Sequence, residues 1–139
     1  RLKAEEMKQL GWDIKRNLAK INYRIHTDAI RQNLIPSEVT IQQANIIYAN
    51  EADVLNVAMF GVTAKMWRER NPELKGNIRD YATIEQLLVI ANMESYNAIL
   101  IEQNVSQSDR LKQLNAMAIS QLRVLQQSNS RLLSEGRKD

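Results

Sequence analysis

Apolar residues recur at helical spacing along most of the chain, and the pattern first predicts a helix over residues 13–33. One apolar stripe on this helix consists of Ile14, Leu18, Ile21, Ile25 and Ala29. A second stripe, on nearly the opposite side, consists of Trp12, Ala19, Tyr23 and Ile30. Two stripes predict a helix that either lies between two neighbours or offers one face to a partner.

Proline, glycine and capping residues divide the next part of the chain. The first helix is expected to end before Pro36, because the residue before a proline is pushed out of the helical region. A helix over residues 41–49 follows. Asn50 then resembles the N-cap of a separate helix that stops at Gly61.

The remaining pattern predicts a short helix over residues 64–70, a loop over 73–82, and a last helix that begins near Ser106. Between the loop and the last helix lies the most apolar segment, residues 84–103, whose apolar residues lie all around the helix. The sequence therefore predicts an all-α fold. It is a compact bundle of about five to six helices around this central helix, with long first and last helices, in a single domain over residues 1–139.

Composition argues against several functional classes. The chain of 139 residues has no cysteine, one histidine (His26) and four isolated glycines, so thiol chemistry and a glycine-rich phosphate loop are excluded. A lone histidine without nearby ligands is usually structural. We therefore expect no catalysis, no metal, no cofactor and no small-molecule substrate, no membrane span, and a cytoplasmic location.

Basic charge is concentrated in three parts of a chain whose net charge is only +3: residues 1–35, residues 63–82 and the tail from 106. In the first helix a basic stripe consists of Arg16, Lys20, Arg24 and Arg31. Such a stripe is usually the solvated face of a helix, but it permits contact with phosphate.

Residues 55–68 resemble a helix-turn-helix, because a helix ends at Gly61 and Thr63 caps a second, short helix. In such motifs the second helix enters the major groove, where Lys65, Arg68 and Arg70 are the candidate contacts. Packed pairs of helices often give the same short pattern, so a purely structural role is the alternative.

Glu94 lies on an apolar face of the predicted central helix and needs a basic partner if it is buried. Arg68 and Arg79 are the candidates. We expect a structural clamp in which Trp67 anchors the short helix in the core and the loop, through Arg79 and Asp80, is held on the central helix. A functional acid at an open surface is the alternative.

Self-association is the expected partner interaction. The two opposed apolar stripes of the first helix leave more apolar surface than one small domain easily covers. The last helix resembles a short coiled coil, with Asn115 and Asn129 in or near its seam, and packing within its own domain is the alternative. We expect a homo-oligomer, formed through the first or the last helix.

Three strings in the chain suggest a family. Residues 51–83 read EADVLNVAMFGVTAKMWRERNPELKGNIRDYAT, residues 12–28 read WDIKRNLAKINYRIHTD, and residues 92–97 read NMESYN. Together they resemble the region downstream of the KilA-N domain in bacterial and prophage KilA-N proteins, and the likeness covers nearly the whole chain. A local likeness, over residues 61–80, is to damage-inducible protein D and phage antirepressors.

In that family the N-terminal KilA-N domain is the part implicated in DNA binding. The resemblance therefore implies a fragment downstream of an absent KilA-N domain, with DNA as a partner only through that domain, and residues 1–6 resemble its last few residues. Our leading hypothesis is a helical accessory or oligomerisation domain. Two alternatives stay open: nucleic-acid binding by segment 51–70 or the basic first helix, and a protein-binding regulatory surface like that of an antirepressor.

Overall fold

The computed structural model describes residues 2–136, with side chains described from residue 3 to residue 128. The helices of this part of the chain are α1 (Leu2–Asn33), α2 (Ile41–Phe60), α3 (Ala64–Arg70), α4 (Ile84–Glu102) and α5 (Gln107–Gly136), with a short 3-10 helix at Ile78–Tyr81. No strand is present within residues 2–136. The predicted all-α bundle, with long first and last helices, is confirmed.

Capping side chains lie at the start of α2, α3, α4 and the 3-10 helix. Thr40 and Thr83 each form a capping box, in which the hydroxyl accepts from a backbone N–H and a glutamine side chain accepts from the backbone N–H of the threonine. Thr63 accepts from the backbone N–H of Met66. The middle of the chain is thus divided by local side-chain chemistry that the sequence already displays.

The predicted break at Asn50 is wrong, because α2 continues through it from Ile41 to Phe60. The reason is packing on both sides of Asn50: Ile47 packs against the buried residues of α1 and α4, and it follows helical spacing with the buried Glu51, Leu55 and Ala58. A break at Asn50 would take the two parts of this face out of register. The helix ends at Gly61, which has a left-handed φ of 76° that glycine adopts without a steric penalty. The first helix also begins earlier than the pattern predicted, at Leu2.

Helix α4 is the central element, as expected, and packs against α1, α2 and α5. The main core joins α2, α4 and α5 and consists of Val54, Leu55, Ala58, Val89, Ile90, Met93, Leu114 and Ala118. A second core joins α1 to α4 and consists of Ala29, Ile30, Ala98 and Ile101. No helix within the described residues is long and apolar enough to cross a membrane.

Three long-range hydrogen bonds and one shared groove give the directions of the helices around α4. His26 of α1 contacts Asn97, while Trp12 and Ile84 line one groove, so α1 and α4 run parallel. Helix α5 runs antiparallel to α4, because Tyr96 hydrogen-bonds to Gln113 and Asn92 to Gln121.

Candidate functional site

A buried polar cluster lies where the four long helices meet. Arg110 of α5 is 3% exposed, and its guanidinium makes a two-pronged ion pair with the carboxylate of Glu51 in α2. Its Nε also donates to the backbone oxygen of Val105 at 3.1 Å, so all three guanidinium nitrogens are used. Gln107 donates to the second oxygen of Glu51 at 2.9 Å. A buried charge pair needs this many hydrogen bonds to offset its lost hydration.

Asn97 of α4 extends the cluster to His26 of α1. The Asn97 oxygen accepts from Arg110 at 3.1 Å, which fixes the amide orientation because a guanidinium can only donate. The amide nitrogen therefore faces Nε2 of His26 at 2.9 Å, and this ring nitrogen must accept. His26 is thus neutral, with its proton on Nδ1.

The pKa values of the cluster follow from this arrangement. Burial lowers the pKa of His26 to about 4, with smaller contributions from the Arg79 and Arg110 charges, while Glu51 acts in the opposite direction. Burial would raise the pKa of Glu51, but hydrogen bonds from Arg110 and Gln107 outweigh it and hold this pKa below its ordinary value. At neutral pH the cluster therefore holds one ionised pair and one neutral imidazole.

The sequence predicts a structural role for His26 but does not identify its partners. A signal was available: Arg110 precedes Leu114 and Ala118 at steps of four and so lies on the buried face of α5. Asn97 similarly interrupts the most apolar helix of the chain. A polar residue on an apolar face requires a buried partner, but only the fold shows which one.

The predicted clamp is present in a different form. Glu94 is 4% exposed and pairs with Arg79 across 3.6 Å, whereas Arg68 does not reach it. Arg68 instead donates to the backbone oxygens of Asn71, Leu74 and Gly76 and thereby closes the loop after α3. Burial raises the pKa of Glu94, and Arg79 offsets part of that effect.

Trp67 does not reach the core, contrary to the prediction, because α3 has no buried residue. Its ring packs against Tyr81 with centroids 5.5 Å apart, and the Arg68 guanidinium lies over it. Asp80 accepts from the backbone N–H of Asn77 at 2.7 Å and caps the 3-10 helix. Trp67 and Asp80 therefore order the loop rather than the core.

The helix-turn-helix-like segment offers two of its three candidate DNA contacts, Lys65 and Arg70. Helix α3 has seven residues, about two turns, and Lys65 and Arg70 are exposed on it. Arg68, the third candidate contact, already donates to three loop carbonyls. Two cations on a short helix are a small footprint for reading a major groove.

The basic stripe of α1 is exposed, and acids compensate half of it. Arg16 pairs with Asp13 at 3.2 Å, and Arg31 pairs with Asp28 at 2.7 Å. Lys20 and Arg24 line an open groove of about 630 Å³ between α1 and α4, which also contains Arg79 and Glu94. Lys20, Arg24 and Arg79 therefore lie together around this groove.

Apart from the buried Ala29, the first apolar stripe of α1 is exposed to solvent. It is extended at its start by Met7 and Leu10, and its large members have exposures of 43–73%: Met7, Leu10, Ile14, Leu18, Ile21 and Ile25. The face that packs on α4 instead carries the buried residues His26, Ala29 and Ile30. We call the six exposed residues the α1 outer stripe.

The seam of α5 is partly described. Asn115 donates to the backbone oxygen of Ala58 at 3.0 Å, so it serves packing onto α2. The side chain of Asn129 lies outside the described residues. Among the described side chains, no group of three or more histidines and acids could hold a metal ion.

Comparison of the chain with protein-family models, with characterised proteins and with solved structures finds no match.

Proposed function

We propose that this chain is a helical accessory domain that self-associates through the α1 outer stripe and so pairs the DNA-binding heads of a KilA-N-type parent protein. The exposure of the stripe is the observation that supports self-association. The link to DNA is supported by the sequence resemblance described above. No catalytic role is proposed.

The spacing of the outer stripe suits helix pairing. Ile14, Leu18, Ile21 and Ile25 follow steps of four, three and four, the alternation of a coiled-coil seam. Fully burying one such side chain stabilises by about 1.5–3 kcal/mol, so a few of them can offset the entropy lost on pairing. A second copy of α1 offers the same stripe, and a two-fold axis then buries both.

Helix α5 is the weaker candidate for the same role. Among its described side chains, the exposed large apolar residues are Ile119 and Val124, which are five positions apart. Five helical steps rotate a side chain to a different face, so these two residues form no stripe. The structure therefore favours α1 over α5 as the site of pairing.

Analytical ultracentrifugation across the micromolar range tests the proposal. We expect a dimer of the wild-type chain and a monomer of Ile21→Glu, because a carboxylate in a paired apolar seam is desolvated. Ile119→Glu is the matched control and should remain dimeric, since Ile119 is as exposed, at 61%, but lies outside the stripe. A wild-type chain that sediments as a monomer throughout contradicts the proposal.

The link to DNA is tested in the parent protein. If pairing joins two DNA-binding heads, Ile21→Glu should weaken binding to DNA with two half-sites about a hundredfold, through lost avidity. Binding to an isolated half-site should be unchanged. Equal loss on both DNAs would show that this domain does not act by pairing the heads.

A further inference from the structure

A partly open cavity of about 240 Å³, which we call the inner cavity, lies beside the buried cluster, between α1, α2, the start of α3, the 3-10 helix and α4. It is smaller than the roughly 300–1,000 Å³ of pockets for drug-sized ligands, so it suits a small metabolite. Three side chains on its wall are both polar and more than nine-tenths buried: His26, Asn56 and Glu94. A cavity that stays dry is lined by apolar groups, whereas a cavity with polar walls holds water or a polar ligand.

The Arg79–Glu94 pair stands between this inner cavity and the open groove of about 630 Å³, since both residues line both spaces. The two charges are 3.6 Å apart, which is longer than a charge-assisted hydrogen bond of about 2.7–2.9 Å. The ion pair between Arg79 and Glu94 is therefore weak, and each of the two charged groups can form a shorter hydrogen bond with a ligand.

Asn56 adds an unmet hydrogen-bond requirement on the inner wall. Its amide nitrogen donates to Asp53 at 3.0 Å, which leaves the oxygen as the free end of the amide. That oxygen is buried, and no atom of the described residues donates to it. A buried acceptor without a donor is destabilising, and the N–H group of a ligand relieves it if the Asn56 amide turns its oxygen toward the cavity, since that oxygen has almost no accessible surface.

We propose that the inner cavity binds a small free α-amino acid with an uncharged side chain, its carboxylate on Arg79 and its ammonium group on Glu94. The formal charges of the cavity, one positive and one negative beside a neutral His26, sum to zero and match a zwitterion. Ile30 and Ile78 provide apolar wall for the side chain of the ligand. The domain then has an effector-binding function in addition to pairing.

Thermal shift of the wild-type chain with each of the twenty amino acids, at about 10 mM, tests the proposal through ligand-linked stabilisation. We expect one or a few small uncharged amino acids to raise the Tm in a concentration-dependent way. Propionate and ethylamine, which each carry one of the two charged groups of alanine, should have no effect. No shift with any amino acid, or a shift with propionate alone, would overturn the proposal.

Two variants connect the shift to the cavity. The double variant Arg79→Gln, Glu94→Gln leaves no unpaired buried charge and should remain folded, while affinity for the amino acid falls about tenfold or more. Asn56→Leu removes the unmet acceptor, so it should weaken binding while leaving the Tm of the free protein unchanged or higher. Binding that is unaltered in both variants places the ligand elsewhere and refutes the proposal.

Amino-acid binding does not depend on self-association. Ile21→Glu should abolish the dimer and keep the amino-acid-induced thermal shift, because the α1 outer stripe does not line the inner cavity. The two proposals can therefore fail separately.

Discussion

His26 and Asn97, 71 positions apart in the sequence, are joined by a hydrogen bond of 2.9 Å between the ring Nε2 and the amide nitrogen. The amide oxygen of Asn97 accepts from Arg110, which in turn pairs with Glu51. This series of contacts takes one residue from each of α1, α2, α4 and α5. A shift of any one helix along its axis breaks a buried contact, so the cluster fixes the mutual register of all four.

Removal of Glu51 should lower the free energy of unfolding more than any single substitution at the surface. Glu51→Ala leaves the Arg110 guanidinium, only 3% exposed, without its counter-ion. We expect a loss of about 3–5 kcal/mol in the free energy of unfolding, measured by urea denaturation. Glu51→Gln keeps one acceptor oxygen and should cost less.

Asp28→Ala provides the control for this prediction, because Asp28 pairs with Arg31 at 2.7 Å but both side chains are more than half exposed. Its loss should cost less than about 1 kcal/mol. Equal costs for Asp28→Ala and Glu51→Ala would show that the buried cluster contributes no more than a surface ion pair.

The neutral His26 makes stability depend on pH. Burial lowers the pKa of His26 from 6.5 to about 4 in the folded protein. Between these two pH values His26 is therefore protonated in the unfolded chain and neutral in the folded protein. The free energy of unfolding should therefore fall as pH decreases from about 6.5 to about 4, by about 3 kcal/mol in total. Above the upper limit His26 is neutral in both states and contributes no pH dependence.

The two buried carboxyl groups have opposite effects on how stability changes with pH. Glu51, whose pKa is lowered, contributes stability that is lost only as pH falls below its ordinary value. Glu94, whose pKa is raised, takes up a proton in the folded protein at a higher pH than in the unfolded chain. Lower pH therefore removes the cost of burying its charge and opposes part of the His26 effect.

His26→Gln isolates the contribution of the histidine, because glutamine retains an acceptor for Asn97 but does not titrate. The stability difference between wild type and His26→Gln should change between pH 7 and pH 4.5, and a constant difference contradicts the assignment.

The amino-acid pattern predicted the helices because helix formation and capping are local. Thr40, Thr63 and Gly61 each act within a few residues, and their roles can be read from the sequence. The sequence could not show that Glu51 is a core residue rather than the start of a new helix, because its partner Arg110 lies 59 positions away. The inner cavity could not be predicted either, since its wall combines five separate segments of the chain.

Glu94→Ala should destabilise the protein, though less than Glu51→Ala. The partner of Glu94, Arg79, has a side chain that is 28% exposed, so water reaches the guanidinium once the carboxylate is removed. We expect a cost of about 1–3 kcal/mol, measured as a lower Tm and a lower urea midpoint. Glu94→Gln should cost less, because the amide keeps an acceptor and avoids the burial of a charge.

Glu102→Ala, at an exposed position on the same helix, is the control and should change the Tm little. An unaltered Tm of Glu94→Ala would exclude a structural role for the pair.

We expect that this chain does not bind duplex DNA appreciably at physiological salt. Its net charge is only +3, and three of the seven candidate contacts already have partners within the protein. Arg16 and Arg31 pair with aspartates of α1, and Arg68 donates to loop carbonyls. Each phosphate contact that a protein makes releases counterions, so few available cations give weak binding with a shallow dependence on salt.

Fluorescence anisotropy with a labelled duplex, at about 50 mM and about 150 mM salt, measures both the affinity and its dependence on salt. We expect no saturable binding at the higher salt and weak binding at the lower. Lys20→Glu and Arg24→Glu report on the α1 groove, whereas Lys65→Glu and Arg70→Glu report on α3. Tight binding that falls steeply with salt would refute the prediction, and the pair of variants that abolishes it would identify the helix that contacts DNA. A loss confined to the α3 variants would establish the helix-turn-helix alternative, because those two side chains are exposed cations of that helix that, unlike Arg68, do not close the loop.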